Sequence, residues 1–245
     1  MTLLARTVDR ALEVLYVPHC AACDVRVPAG QPLCTPCTAS LVELGPACPR
    51  CAEPLAAPPA VECARCATAG TAWPLEAAIA PWRYGSELGR AIRRLKFGRR
   101  PELARELAPL VAPFLSAVVR AGEIDLLVPV PLHWRRLAGR GFNQAQMLAA
   151  AARRMAGIEV PIETGSLARV RPTAAQTGLT AKEREQNLKG AFVVPRRRVR
   201  EVAGRRVLVV DDVITTGATV AAAARALRKA GAAAVIAFAV ARAGE

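Results

Sequence analysis

The stretch of sequence that decides the fold is Val207-Leu-Val-Val-Asp-Asp-Val-Ile-Thr-Thr-Gly-Ala-Thr219. Its four leading apolar residues are typical of a strand buried on both faces of a parallel sheet, and ligands bind where such strands end. A short Thr/Gly loop then leads into an Ala-rich helix, and the free N–H groups at a helix N-terminus hold phosphate. Asp211 and Asp212 can accept hydrogen bonds from vicinal sugar hydroxyls or help to hold a hydrated cation. The stretch therefore predicts a parallel α/β sheet and a site for a sugar phosphate.

A purely structural interpretation of this stretch is a buried strand, a tight turn and a helix cap. It accounts for Thr216 and Gly217, but two adjacent carboxylates repel each other and would each need a separate partner. The thirteen residues also resemble the 5-phosphoribosyl-1-diphosphate (PRPP) signature of type I phosphoribosyltransferases. The resemblance implies that Asp211 and Asp212 meet the ribose hydroxyls. It also implies that the 5′-phosphate binds in the loop formed by Thr215, Thr216, Gly217, Ala218 and Thr219.

Strand and helix patterns alternate upstream and downstream of this stretch. Strands are predicted at 77–84, 125–130, 158–163, 190–194, 206–210 and 234–240, and helices at 85–97, 102–120, 141–155 and 218–230. Such alternation predicts a mainly parallel sheet with helices on both faces, and the resemblance implies the type I phosphoribosyltransferase fold. We expect two domains: an N-terminal helix with a Cys-rich zinc module at residues 1–72, and a phosphoribosyltransferase-like domain at residues 73–245.

The chain is strongly basic, with 34 Lys and Arg residues against 20 Asp and Glu residues and a formal net charge of +14. A basic surface favours phosphate-rich partners, either nucleic acid or a small diphosphate. The abundance of Ala beside Arg also fits a GC-rich coding bias. Charged residues interrupt the apolar positions of residues 1–16, and the apolar run 230–241 is too short to cross a bilayer. We therefore expect a cytoplasmic protein without membrane insertion.

All eight cysteines form four Cys-x-x-Cys pairs between residues 20 and 66. A two-residue gap lets both sulfurs of a pair bind one tetrahedral ion, and two pairs complete a zinc site. We expect two structural Zn²⁺ ions, because disulfides need an oxidising compartment and redox chemistry normally uses a single motif in another fold. Sequential pairing predicts one site from Cys20, Cys23, Cys34 and Cys37 and a second from Cys48, Cys51, Cys63 and Cys66, while interleaved pairing stays open.

Two further segments carry polar and basic residues. Residues 128–144 leave a strand through two prolines, form a basic loop and enter a helix. In type I enzymes the loop at this position binds pyrophosphate, and the resemblance assigns that role to Pro131, Leu132, His133, Arg135 and Arg136. His133 has no partner visible in the sequence, so an ordinary loop residue is the simpler interpretation. Residues 169–192 are typical either of a mobile lid over the diphosphate or of a solvated loop.

The motifs taken together resemble the ComF family of competence-associated proteins. The Cys-x-x-Cys pairs, Lys96-Phe97, Arg140-Gly-Phe-Asn-Gln144 and Arg184-x-x-Asn187 precede the phosphate loop in that order. The resemblance implies a zinc module on a phosphoribosyltransferase domain, PRPP with Mg²⁺ as ligand, and partners that include single-stranded DNA and DNA-uptake proteins. It also implies a catalytic set of Asp211, Asp212, Arg140, Lys182 and Arg184.

Two functions of different classes fit these features. An enzyme would transfer the 5-phosphoribosyl group from PRPP to an acceptor that the sequence does not identify. A non-catalytic accessory would bind single-stranded DNA, with Trp73, Trp82 and Trp134 as candidates for base stacking, and would sense PRPP in the same pocket. Each tryptophan is more readily explained as a core residue. A third function, PRPP-responsive transcription regulation, ranks last because the sequence has no visible helix-turn-helix.

Overall fold

The computed structural model describes residues 18–55, 61–172 and 181–244. The helix predicted for residues 1–16 and residues 173–180 of the predicted lid lie outside the described residues, and so do the side chains of Lys182 and Arg184.

The strands are β1 Ala77–Ile79, β2 Trp82–Arg83, β3 Leu126–Pro129, β4 Ala168–Arg169, β5 Phe192–Val193, β6 Arg206–Ile214 and β7 Ala234–Arg242. The helices are α1 Thr35–Ala39, α2 Ala64–Ala69, α3 Ser86–Phe97, α4 Leu103–Glu106, α5 Ala108–Ala121, α6 Trp134–Arg140, α7 Gln144–Met155, α8 Ala181–Leu188, α9 Val199–Val202 and α10 Ala218–Lys229, with 3₁₀ turns at Gly70–Ala72 and Arg196–Arg198.

The central sheet is parallel, with strand order β1–β7–β6–β3 and with β2 also paired to β7. β6 and β7 pair from Arg206 opposite Ala234 to Ile214 opposite Arg242. Both strands consist mainly of buried apolar residues, as central strands covered on both faces require. The predicted class, a mainly parallel α/β sheet with a Cys-rich module, is confirmed.

Helices cover both faces of the sheet. Successive side chains of a strand point to opposite faces, and in β6 and β7 most of them are apolar, so both faces need a covering layer. Leu208 and Phe238 belong to a buried cluster that includes residues of α3, α5 and α7. Val207 and Ala237 belong to a second cluster that includes the buried side of α10. The two clusters form the core on either side of β6 and β7, and they leave the C-terminal ends of these strands for a ligand.

The Cys-rich module covers the edge of the sheet at β1 and β2. The Ala78 N–H donates to the Pro49 carbonyl at 2.8 Å, and the Arg83 N–H donates to the Val42 carbonyl at 2.8 Å. An uncovered edge strand would present unpaired backbone groups to other chains. The module is therefore packed against the sheet, and its described residues share the core cluster of α3 and α5 through Cys20 and other residues.

Some predicted elements differ from the structure. The strand predicted at 77–84 is divided into β1 and β2 on either side of Pro81, and the helix predicted at 102–120 is interrupted at Leu107. Pro109 lies in the first turn of α5, where its missing N–H has no intrahelical partner to lose. β6 extends four residues beyond its predicted end, because β7 continues beside it as far as Arg242.

The basic loop predicted after β3 contains a helix, α6, so the prediction of an unbroken loop is wrong. His133 starts this helix, because its Nδ1 accepts the Arg135 N–H at 3.4 Å. Gly141, with φ of 85°, ends it in the left-handed conformation that glycine favours. Among the described residues, no helix combines the length and the apolar character that crossing a bilayer requires.

Candidate functional site

The two adjacent carboxylates lie near the C-terminal end of β6, with 9% of Asp211 and 3% of Asp212 exposed. Asp211 Oδ1 accepts the Asp212 N–H at 2.9 Å. Gln144 Nε2 donates to Asp212 Oδ1 at 3.1 Å, and Lys96 Nζ forms an ion pair with Asp212 Oδ2. These partners alone would satisfy a purely structural role for the two acids. The space in front of them therefore decides between the two interpretations.

The two acids have different charge states. Burial and the nearby charge of Asp212 raise the pKa of Asp211 well above its usual value. Burial also opposes ionisation of Asp212, but the Lys96 charge and the hydrogen bonds from Asp211, Lys96 and Gln144 outweigh burial and lower the pKa of Asp212. Asp212 is thus the stronger acid of the pair, with Lys96 as its counter-ion, and Asp211 is the acid that holds its proton to higher pH.

A cavity of about 750 Å³ opens in front of the acids. Asp212 Oδ2 is buried, and its partner is the Lys96 ammonium. Three residues of the predicted phosphate loop line the same cavity: Thr215, Gly217 and Thr219. Five basic side chains complete the wall: Lys96, Arg99, Arg136, Arg140 and Arg169. Two carboxyl groups, an amide-rich loop and an excess of cations suit a sugar that carries several phosphate groups.

The phosphate loop has a backbone conformation that requires glycine. Gly217 has φ of 78° and immediately precedes α10, a helix of 12 residues. The left-handed conformation costs another residue type about 1–2 kcal/mol. Thr216 Oγ1 accepts the Ala218 N–H at 3.4 Å, and the positive end of the helix dipole lies at the loop. The sequence-predicted loop thus forms the kind of helix N-terminus that binds anions.

The segment predicted to bind pyrophosphate brings only part of its residues to the cavity. Leu132 and Arg136 line the cavity, whereas Pro131, His133 and Arg135 are not among its described lining residues. His133 is buried as the cap of α6, and burial with the charges of the neighbouring arginines lowers its pKa. Its ring is therefore neutral and structural. The Arg135 guanidinium lies 5.3 Å from the Trp134 ring centroid.

Arg140 is connected to the acids through one side-chain amide. Arg140 donates to Gln144 Oε1, and Gln144 Nε2 donates to Asp212. The Arg140 guanidinium also lies 5.2 Å from the Phe97 ring centroid. The Gln144 amide accepts from Arg140 through its oxygen and donates to Asp212 through its nitrogen. This side chain therefore lies between the basic and the acidic parts of the cavity. Arg140 therefore lies in the wall of the cavity, and its catalytic role stays a prediction.

The predicted lid contributes one described side chain to the cavity. Arg169, in β4, lines the cavity, and its guanidinium lies 5.4 Å from the Phe192 ring centroid. Sequence reasoning named Lys96 and Gln144 only as members of the ComF motifs, and it assigned no role to Arg99 or Arg169. Lys182 and Arg184 belong to α8, and because their side chains lie outside the description, their catalytic roles stay predictions.

The cysteines form two clusters in the sequential arrangement. The sulfurs within each cluster lie within 4.8 Å of one another, in the groups Cys20, Cys23, Cys34, Cys37 and Cys48, Cys51, Cys63, Cys66. The Sγ atoms of Cys23 and Cys34 are 3.6 Å apart, and those of Cys51 and Cys63 are 3.5 Å apart. A tetrahedral zinc with Zn–S bonds of about 2.3 Å separates its sulfurs by roughly 3.8 Å, whereas a disulfide would hold them at about 2.05 Å. The clusters therefore fit structural Zn²⁺, and none of the eight cysteines is in a disulfide.

Thiol chemistry agrees with a bound cation in each cluster. Burial raises the pKa of Cys51 to about 11, and burial with neighbouring thiols raises the pKa of Cys37 and Cys66 further. Four thiols packed this closely cannot all ionise unless a cation balances their charge. Zn²⁺ supplies that charge and deprotonates its ligands.

Comparison with known proteins identifies the same two parts of the chain. A double zinc ribbon domain matches residues 11–67, and a phosphoribosyl transferase domain matches residues 144–245. The DNA utilization protein YhgH of Escherichia coli K12 is 35% identical over 227 residues, which cover 91% of this chain and 96% of that protein. YhgH of Salmonella typhimurium is 36% identical over 206 residues, which cover 83% and 87%. Competence protein F of Haemophilus influenzae is 35% identical over 175 residues, which cover 70% and 74%.

Proposed function

The chain belongs to the ComF family, which joins a double zinc ribbon to a phosphoribosyltransferase domain, and we propose that it binds PRPP and transfers or recognises the 5-phosphoribosyl group. The observation that carries this proposal is that Asp211, Asp212 and the phosphate loop line one cavity together with five cationic side chains. Each part of PRPP has a chemically matched part of the wall.

The ribose hydroxyls are assigned to the acids. Asp212 has the lower pKa of the two acids and lines the cavity, so its carboxylate can accept a ribose hydroxyl beside the Lys96 ion pair. Asp211, which retains its proton, can donate to one hydroxyl oxygen and accept from another. The 5′-phosphate is assigned to the amides of Thr215–Thr219. Together these contacts would fix the sugar while the anomeric carbon reacts.

The diphosphate is assigned to the arginines. When it leaves, positive charge develops on the anomeric carbon and negative charge on the leaving oxygens, so positioned cations lower the barrier. Arg136, Arg140 and Arg169 line the cavity, and the forked guanidinium matches diphosphate oxygens. In this scheme the protein holds the sugar and the leaving group in place and forms no covalent intermediate.

Magnesium fits this site only together with the substrate. Among the described residues, groups of three or more metal-binding side chains occur only at the cysteine clusters, so the protein offers Mg²⁺ at most the two aspartates. Mg²⁺ is commonly held by one or two carboxylates plus substrate phosphates. When bound, it would neutralise charge on the diphosphate, while Asp211 and Asp212 would face its hydration shell.

A role in DNA handling is proposed from the relatives, whose names refer to DNA utilization and competence. The net charge of +14 and the exposed Arg196, Arg197 and Arg200 support single-stranded DNA as a partner. Eight cysteines without disulfides suit a reducing compartment, which supports a cytoplasmic location. We also keep the domain division at residues 1–72 and 73–245 as a proposal.

The proposed function is tested by calorimetry with PRPP and Mg²⁺ and by an assay for diphosphate release with nucleobases and DNA ends as acceptors. The wild-type protein should bind PRPP, and a variant with both Asp211→Asn and Asp212→Asn should lose binding while its circular dichroism spectrum is retained. Diphosphate release in the wild type alone would establish transfer, and binding without release would establish recognition. PRPP binding that is undiminished in the double variant would contradict the assignment.

A further inference from the structure

Two arginines connect the second cysteine cluster to the phosphate loop. Arg65 lies between Cys63 and Cys66 in sequence, and its Nη1 donates to the carbonyl of Thr216. Arg242, at the end of β7, donates to the carbonyl of Ala52 at 3.1 Å and to the carbonyl of Ile214 at 3.4 Å. The second cysteine cluster is therefore connected to the start of the loop, directly through Arg65 and indirectly through Arg242, although Arg65 and Thr216 are 151 residues apart.

These contacts determine which way the loop amides face. A trans peptide is planar, so the C=O of one residue and the N–H of the next point in opposite directions. The Thr216 carbonyl is directed at Arg65, so the Gly217 N–H is directed away from the zinc module. By the same geometry, the Thr215 N–H points away from Arg242. Thr215 and Gly217 line the cavity, whereas Arg65 and Arg242 do not, so both amides are turned toward the proposed phosphate position.

The position of the Arg65 guanidinium is itself set by the second cluster. Arg65 hydrogen-bonds to the Cys51 thiol, and its guanidinium lies 5.0 Å from the Trp73 ring centroid. The Trp73 Nε1 donates to the Arg50 carbonyl at 2.9 Å, which anchors the ring to the same module. The guanidinium is thus held between a zinc ligand and an anchored ring, with donors remaining for the loop.

We propose that Arg65 is a positioning residue for binding of the 5′-phosphate, and that the second zinc centre thereby serves ligand binding as well as folding. This inference rests on the proposed function, because it concerns how the phosphate loop of the same site is oriented. A loop that loses its anchored carbonyl would rotate its amides away from the phosphate, and a small misplacement of binding groups is costly. The arginines of the pyrophosphate segment belong to α6, and no described hydrogen bond connects them to Arg65.

The test compares Arg65→Ala with Arg50→Ala in the full-length, zinc-loaded protein. Arg50 is a matched control, because it contacts Glu62 and the Cys66 carbonyl in the same module but makes no described contact with the loop. Calorimetry with ribose 5-phosphate probes the phosphate loop, calorimetry with inorganic diphosphate probes the arginines, and elemental analysis gives the zinc content. Arg65→Ala should bind ribose 5-phosphate about tenfold more weakly, as the loss of one charged hydrogen bond predicts. Its diphosphate affinity and its zinc content should be unchanged, and Arg50→Ala should match the wild type in all three measurements.

Four results would overturn the inference. Wild-type affinity of Arg65→Ala for ribose 5-phosphate would show that the contact does not position the loop. An equal loss in Arg50→Ala, or a parallel loss of diphosphate affinity, would show general destabilisation instead. Loss of zinc from Arg65→Ala would assign Arg65 to the metal site. A wild-type protein that binds neither ribose 5-phosphate nor PRPP would contradict the proposed function first, which distinguishes the two failures.

Discussion

At the scale of single residues, the site depends on a buried set of charges around Asp212. Lys96 and Gln144 both contact its carboxylate, and Gln144 connects it to Arg140. Removing one member of a buried ion pair leaves the other charge uncompensated, which lowers the free energy of unfolding by about 3–5 kcal/mol. Among the described residues no cation hydrogen-bonds to Asp211, and the pKa of Asp211 is raised, so the two neighbouring acids contribute differently to stability.

The first prediction concerns the pH dependence of that difference. Asp212→Asn should lower the free energy of unfolding by about 3 kcal/mol, because it leaves Lys96 unpaired. Asp211→Asn, which resembles the protonated acid, should match the wild type in stability near pH 4 and become the more stable of the two as the pH rises. The folded-state pKa of Asp211 is raised, so the native state holds a proton that the unfolded chain has released above its usual pKa near 4. Raising the pH therefore costs the wild type stability until the folded-state pKa is passed, and Asp211→Asn should avoid this loss.

Urea unfolding of the wild type and both variants from pH 5 to 9 measures these effects. The stability of Asp211→Asn relative to wild type should rise with pH. A difference between the two that stays constant across the range would show that Asp211 is already ionised in the native protein.

The acids and the loop are visible in the sequence, but their partners are not. Local pattern identifies a strand tip and a helix start, because both signals lie within thirteen consecutive residues. Lys96 meets Asp212, and Arg65 meets Thr216, only because the chain returns to the same edge of the sheet after long separations. Such contacts depend on packing, which periodicity and spacing do not encode.

At the scale of secondary-structure elements, the geometry of each helix start determines which groups face the cavity. Gly217 caps the start of α10, and the N-terminus of this helix faces the cavity. His133 caps the start of α6, which carries Arg136 and Arg140 to the cavity along its length. The sequence predicted α10 correctly because a strong strand and an Ala-rich pattern surround its start. It missed α6, because two prolines and several arginines are typical of a loop. The residues that start and end this helix, His133 and Gly141, are each a single residue and give a weak signal.

The second prediction is that Gly217→Ala damages both stability and ligand binding. The substitution places a side chain at φ of 78°, with its Cβ 3.6 Å from Arg65 Nη2. The left-handed conformation should cost about 1–2 kcal/mol of unfolding free energy, and the displaced loop should weaken binding of ribose 5-phosphate. Gly139→Ala is the stability control, since Gly139 lies within α6 and an added Cβ meets nothing within 4 Å. Equal unfolding free energies for Gly217→Ala and wild type would contradict the strained geometry.

The third prediction concerns metal removal from the Cys-rich module. Elemental analysis should give two zinc ions per chain. Structural zinc contributes about 10 kcal/mol or more per site, so a strong chelator should unfold residues 18–72 as the metal is released. Because the thiols must lose protons to bind zinc, and burial raises the pKa of Cys51 to about 11, zinc affinity should fall as the pH is lowered. Near-ultraviolet circular dichroism and a colorimetric zinc assay follow both events, and a module that stays folded without metal would contradict this account.

At the scale of the whole molecule, zinc module, sheet edge and ligand cavity form one connected structure. The module pairs with β1 and β2, contacts α3 through the salt bridge of Arg94 with Asp24 at 2.6 Å, and contacts the phosphate loop through Arg65. α3 carries Lys96 to the acids. The sequence predicts two domains, because the Cys-x-x-Cys pairs end before residue 72 and alternating strand and helix patterns begin after it. The described contacts connect the Cys-rich module to the sheet and to the phosphate loop.

The fourth prediction concerns nucleic acid. Trp73 and Trp82 are held by internal hydrogen bonds to Arg50 and Leu110, as expected for core residues, but Trp134 is 65% exposed on α6 beside the cavity segment. Base stacking on an aromatic ring contributes about 1–3 kcal/mol. Trp134→Ala should therefore weaken binding of single-stranded DNA about tenfold, whereas Leu137→Ala, on the same helix, should not.

Fluorescence titration with an oligonucleotide at several salt concentrations makes this measurement. Because two Cys₄ zinc sites reduce the net charge only to roughly +10, affinity should fall steeply with salt. If the affinity for single-stranded DNA is independent of salt, or is unchanged in Trp134→Ala, the prediction that this DNA binds at α6 is wrong.

A crystal structure of the protein with PRPP and Mg²⁺ tests the central claim most directly. We expect the 5′-phosphate within hydrogen-bond distance of the amides of residues 215–219, the ribose hydroxyls on Asp211 and Asp212, and the diphosphate beside Arg136 and Arg140. A cavity that contains no ligand at saturating PRPP, or PRPP bound away from the twin aspartates, would contradict the account.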